Sequence, residues 1–168
     1  MTLKAGQFLR SLPTFASWST EAINGLLLRA RKLRFFQGDV LFREGEPGNS
    51  LFVVLDGEIS VSLRAGDTSV VLSLEGPGAI LGEMALIDPG PRSATATALS
   101  SGTTLGLSAA ELYSLQSEDP ALASALLRAF TRTLAGRVRA ADTRIASVGE
   151  GRPAEHSAAV WRTLWLTG

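Results

Sequence analysis

The chain has 168 residues, a formal net charge of zero, no cysteine and one histidine, His156, so disulfides, thiolate metal sites, cysteine nucleophiles and two-histidine zinc centres are excluded. Lys4 and Lys32 stand outside any G-x-x-x-x-G-K-[ST] pattern, no G-x-S-x-G occurs, and no apolar run has the length of a bilayer span or the form of a signal-peptide core. A cytoplasmic, non-metallic domain without membrane insertion is expected, with basic ends and an acidic middle in which Arg64 and Arg92 are the only cations between residues 44 and 118.

In chain order, residues 3–10 and 19–31 read as short helices, the second started by Ser19-Thr20-Glu21 and striped by Ile23, Leu26, Leu27 and Ala30. Arg29, Arg31, Lys32 and Arg34 follow as a solvated, dipole-complementing helix end, since no aromatic-interleaved groove accompanies them. Eight short apolar runs come next: Leu33–Phe36, Val40–Phe42, Leu51–Leu55, Ile59–Leu63, Val70–Leu74, Ala79–Leu81, Ala94–Leu99 and Thr103–Leu107. Glycine- and proline-rich corners separate them, and Ile59, Val61 and Leu63 alternate with Ser60 and Ser62. No helical crossover fits between them. The expectation is a mainly β fold with flanking helices: an eight-stranded antiparallel β-roll or jelly roll, N-terminal helices and a long C-terminal helix.

After the strands, Ser108-Ala109-Ala110-Glu111 caps a short helix, and Pro120 opens a long one. Leu122, Leu126, Phe130, Leu134, Val138, Ala141, Ile145 and Val148 step by three or four along it, forming one seam over about 45 Å. A helix of that length outreaches the barrel, so a parallel two-fold pairing with a second copy is expected. Gly149, Gly151 and Pro153 break the helix, and Trp161, Leu164 and Trp165 mark one face of the tail. The chain thus divides into helical residues 1–32, a β core at 33–108, C-terminal helices at 109–148 and a linker with tail at 149–168.

The chemistry concentrates between Gly76 and Thr95. Gly82 ends a strand, and Glu83 through Leu86 can form one helical turn with free amides. The chain reverses through Asp88–Pro91 and returns with Arg92 and Ser93. A guanidinium, a hydroxyl and backbone N–H groups then converge, which suits a phosphodiester. Beside them Glu83 would repel a bare phosphate, so it is better placed to accept from a ligand hydroxyl. A phosphate with an adjacent sugar hydroxyl meets both demands; a Glu83–Arg92 pair of purely structural use is the alternative.

Gly82-Glu83-Met84-Ala85-Leu86 followed by Pro91-Arg92-Ser93-Ala94-Thr95 resembles the phosphate-binding cassette of cyclic nucleotide-binding domains, the family of protein kinase A regulatory subunits and bacterial catabolite activators. Phe35–Gly48 and Leu51–Glu58 are similar to its first strands and glycine corners. Leu81 stands where the family commonly has an aromatic, and Ala96 where it often has a β-branched residue. The resemblance implies that Glu83 accepts from the ribose 2′-hydroxyl and Arg92 pairs with the cyclic phosphate. It further implies that Ser93 and the amides of Gly82, Met84, Ala85 and Ala94 line the phosphate, and that Leu134, Arg137 and Val138 lie where the purine is covered. Arg137 would stack on the base or stand as an ordinary exposed helix arginine.

The implied function is that of a non-catalytic receptor for cAMP, with cGMP as the alternative ligand and no other cofactor. It would be a homodimer that signals through the long helix and tail to a partner protein. About 20 residues follow Val148, too few for a winged helix-turn-helix, so no direct DNA binding is expected. A scaffold with a degenerate pocket and a sensor of a cyclic dinucleotide are the competing readings.

Overall fold

The computed structural model of the protein describes residues 2–149. In order, these form α1 (Thr2–Ser11), a 3-10 turn (Pro13–Phe15), α2 (Thr20–Arg29), β1 (Arg31–Phe35), β2 (Val40–Phe42), β3 (Ser50–Asp56), β4 (Ile59–Ala65), β5 (Thr68–Glu75) and β6 (Ile80–Leu81). There follow α3 (Met84–Ile87), β7 (Thr95–Ala98), β8 (Gly102–Ser108), α4 (Ala109–Glu118) and α5 (Pro120–Gly149). All eight expected strands form, every pairing is antiparallel, and they make two four-stranded sheets in the orders β1-β8-β3-β6 and β2-β7-β4-β5. The fold is the expected β-roll. The first strand begins at Arg31 rather than Leu33, because β1 is an edge strand whose Arg31, Lys32 and Arg34 project into solvent.

Two apolar layers explain the pattern. Leu51 and Val53 of β3 and Leu105 and Leu107 of β8 pack against Leu9, Phe15, Ile23, Leu26, Leu115, Leu122, Leu126 and Phe130 of the helical layer. Val54 turns the other way, into the space between the sheets, with Phe35, Ile59, Val61, Leu81, Ala94, Ala96 and Ala98. A strand covered on both faces reads as a continuous apolar run, which is why Leu51–Leu55 shows no alternation. Burial along β4 does not alternate as expected: Ile59, Ser60 and Val61 are all buried, Ser62 and Leu63 half-buried, and opposite Val61 and Ser62 the partner β5 carries one extra residue, Leu72.

Local signals hold the helices as expected. Ser19 Oγ accepts from the Ala22 amide at 3.1 Å, and Ser108 and Glu111 form a reciprocal capping box. Asp119 Oδ1 accepts from the Leu122 amide at 3.0 Å and so caps α5 just before Pro120. The single seam expected along α5 divides in two. Leu122, Leu126 and Phe130 are fully buried against the chain's own roll, whereas Val138 is 60% and Ile145 71% exposed. Past Phe130 the helix reaches the roll through Arg137 and Arg144 rather than through this stripe, so the two halves of the stripe meet different surroundings. The side chain of Val148 and the tail with His156, Trp161, Leu164 and Trp165 lie outside the described residues. No helix among the described residues is long and apolar enough to cross a membrane.

Candidate functional site

Arg92 lies just ahead of β7, locked by the loop that joins β2 to β3. Its amide donates to Glu46 O at 2.8 Å, its carbonyl accepts from the Gly45 amide at 2.9 Å, and Pro47 bridges Pro91. The side chain is 5% exposed. Nη1 donates to Gly82 O at 3.0 Å, Nη2 donates to Ser50 Oγ at 3.2 Å, and the guanidinium carbon stands 4.4 Å from the centroid of the Phe42 ring. Among the described residues no carboxylate comes within 4.0 Å of it. Burial therefore pulls its pKa down, and the more distant Glu46 and Glu83 only partly oppose this. A buried cation held by neutral acceptors is an electrostatic debt that an anion would settle.

The geometry around it requires glycine at two points. Gly82 has φ +81°, which glycine alone adopts without strain, and a Cβ there would collide with the Arg92 guanidinium. A Cβ on Gly48 would collide with Ala85.

Glu83 sits at the start of the single turn α3, and the Leu86 and Ile87 amides donate to its carbonyl at 3.0 and 3.1 Å. Its side chain is completely buried. Oε1 accepts from Arg137 Nη1, while Oε2 is buried without any hydrogen-bond partner among the described residues. Arg137 reaches from α5 and also donates through Nη2 to Ile80 O at 3.2 Å, with Glu75 Oε1 at 3.9 Å. Burial pushes the Glu83 carboxyl above its ordinary range, opposed by Arg137, by a backbone hydrogen bond and by Arg92. An orphaned acceptor of this kind is costly unless a donor fills it.

One cavity is lined by Gly82, Glu83, Met84, Ala85, Arg92, Ser93, Ala94 and Arg137, together with Phe42, Val61 and Leu81. Eight of the ten residues expected at the site thus converge on it. Leu134 and Val138 do not line it: they lie further around α5, Leu134 half-buried and Val138 largely exposed. Arg137 is neither stacked over the cavity mouth as a free plane nor a solvated helix arginine, because its guanidinium is committed to Glu83 and Ile80. The expected Glu83–Arg92 structural pair is also absent, since Glu83 pairs with Arg137 instead. Ser93 is exposed, with its hydroxyl 3.4 Å from Met84 Sδ. The helical turn spans Met84–Ile87 rather than Glu83–Leu86.

Three contributors escaped the sequence reading: Ser50 and Phe42, which hold the Arg92 guanidinium, and Glu75, which faces Arg137. Ser50 opens β3 and Phe42 ends β2, remote in sequence from the cassette. A serine and a phenylalanine there carry no pattern of their own. Glu75 did leave a signal, as a carboxylate closing an otherwise apolar and hydroxyl-bearing strand.

Comparison with known proteins agrees with this geometry. Residues 32–119 match the sequence profile of the cyclic nucleotide-binding domain. The chain is 31% identical over 121 residues to a CRP-like cAMP-activated global transcriptional regulator of Mycobacterium tuberculosis, covering 71% of this chain and 54% of that protein. It therefore spans about half the length of that relative. Among solved structures, the N-terminal domain of a transcriptional regulator from Streptomyces coelicolor A3(2) is 38% identical with a TM-score of 0.65, covering 76% of this chain and 91% of that one. A cyclic nucleotide-binding domain from Methylobacillus flagellatus is 27% identical with a TM-score of 0.76, covering 93% and 86%. With its fold, its buried arginine and glutamate, and more than half of its length matched, the chain belongs to the cyclic nucleotide-binding domain family.

Proposed function

We propose that the protein is a non-catalytic cytoplasmic receptor for a cyclic nucleotide, cAMP before cGMP. The carrying observation is Glu83 Oε2, a fully buried acceptor with no donor among the described residues, in the cavity that also holds the buried Arg92. A cyclic phosphate supplies the negative charge that Arg92 lacks, and the ribose 2′-hydroxyl supplies the donor that Glu83 lacks. Both deficits are met by one small ligand. The choice of cAMP draws support from the Mycobacterium relative, which is by name cAMP-activated.

Ligand state passes outward through α5, because Arg137 ties that helix to Glu83. The exposed second half of α5 supports pairing with another copy: Leu127, Leu134, Val138, Ala141 and Ile145 follow a heptad with Leu127, Val138 and Ile145 open to solvent. Output through a further protein partner completes the reading.

Calorimetric titration with cAMP, cGMP and a cyclic dinucleotide tests it. Saturable one-site binding of cAMP, lost for 2′-deoxy-cAMP, is the expected result. No heat with any of them leaves the scaffold reading, and tighter binding of the dinucleotide replaces the ligand.

A further inference from the structure

Glu75 is unused by the nucleotide reading, yet it is a carboxylate 4% exposed at the end of β5. Its Oε1 accepts from Ser73 Oγ at 2.8 Å and lies 3.9 Å from Arg137 Nη2. That guanidinium is already bonded to Glu83 through Nη1 and to Ile80 O through Nη2. One cation from α5 therefore stands between two buried acids from different strands' ends. The charges that face Glu75 are Arg137 on α5 and Glu83 at the head of α3; Arg92 acts on Glu83, and Arg144, two turns along α5, donates to Leu72 O of the same strand.

Among the described residues Arg137 is the one cation within 4.0 Å of either acid, so the two buried carboxylates draw on a single guanidinium and a proton on one of them relieves the competition. Glu83 has the direct bond to Arg137 and the field of Arg92 besides. Glu75 has only the longer contact, so of the two it is the acid on which a proton displaces least. Burial pushes its carboxyl above the ordinary range; Arg137 and Ser73 pull it down, and Glu83 adds a further upward push.

Building on the cyclic nucleotide reading, we propose that Glu75 is a positioning residue of that site, acting on Glu83 through Arg137 and making the presentation of Glu83 depend on a proton. With the proton on Glu75, Arg137 serves Glu83 and Ile80, and Glu83 Oε2 is held towards the ligand. With the proton off, Glu75 competes for the guanidinium and adds negative charge beside an anionic ligand. Ligand binding then takes up a proton, so affinity falls as pH rises through the titration of Glu75.

The test compares wild type with Glu75→Gln, which retains an acceptor for Ser73 and mimics the protonated acid. In calorimetric titration with cAMP, wild-type affinity should fall several-fold as pH rises through the titration of Glu75, whose carboxyl burial holds above its ordinary range. Glu75→Gln should keep the acid-side affinity throughout. Superimposable affinity profiles overturn the proposal. A second arm needs no ligand: the urea midpoint of free wild type should fall below that of Glu75→Gln as pH rises, and coincident curves overturn the shared-guanidinium argument. If wild type binds no cyclic nucleotide at any pH, the functional reading falls instead, and the urea arm still decides whether the two acids compete for Arg137.

Discussion

Replacing Arg92 with alanine separates binding from folding unusually well. In the fold, Arg92 makes hydrogen bonds to Gly82 O and Ser50 Oγ and lies against the Phe42 ring. Hydrogen bonds to a charged donor contribute about 1.5–3 kcal/mol each. Against them stands the several-kcal/mol penalty of burying a cation with no carboxylate within reach. The two nearly cancel, so Arg92→Ala should change unfolding free energy by no more than about 1 kcal/mol. In the complex there is no such offset. The ligand phosphate would lie desolvated and unpaired, costing about 2–5 kcal/mol, or roughly 30-fold to 5,000-fold in Kd. Arg92→Lys keeps the charge but loses the planar fork, and should fall between the two. Calorimetry with cAMP, run beside urea unfolding on the same preparations, reads both quantities. Binding by Arg92→Ala within threefold of wild type refutes the assignment, as does a loss of folding stability beyond about 3 kcal/mol, which would make Arg92 a structural residue.

The remaining expectations are independent of one another. Glu83→Ala should weaken cAMP by about 1.5–3 kcal/mol and abolish discrimination against 2′-deoxy-cAMP, measured by competition with a fluorescent nucleotide. Ile145→Asp places a charge on the exposed stripe of α5 and should turn a dimer into a monomer by sedimentation, with a urea midpoint that no longer rises with protein concentration. Ser108→Ala removes a reciprocal cap and should cost about 1 kcal/mol by urea unfolding. Glu111 in that box is held below its ordinary range by the Ser108 amide and hydroxyl, so its stabilising share is present above the ordinary carboxylate pKa and lost as pH falls through the depressed one. A wild-type acid-unfolding curve that shifts towards neutral pH in Ser108→Ala checks this.

The strands were legible because each apolar run is bounded by glycine or proline corners, and those corners do turn the chain: Gly38, Gly45, Gly57, Gly66, Gly78 and Gly82 all have positive φ. The cassette was legible because Gly82, Glu83, Arg92 and Ser93 fall in a short stretch of chain, so local order carries their three-dimensional convergence. What the sequence concealed is long-range. The resemblance puts Arg137 at the site, but its bond to Glu83, 54 residues away, has no local signal. Ser50 lies 42 residues from Arg92, and its role exists only because Gly82 lets the guanidinium through. The α5 seam misled for a related reason. Periodicity reports which side chains share a face, whereas burial depends on what covers that face, and at Val138 and Ile145 the chain's own roll does not cover it.

Among the described residues Glu83 Oε2 lacks a donor and Arg92 lacks a carboxylate, and a crystal structure of the protein with cAMP tests most directly whether one ligand answers both. It should show an exocyclic phosphate oxygen on the Arg92 guanidinium and the ribose 2′-hydroxyl on Glu83 Oε2, each at about 2.6–3.0 Å. A nucleotide bound elsewhere, or one seated in this cavity with Glu83 Oε2 still lacking a donor, contradicts the account.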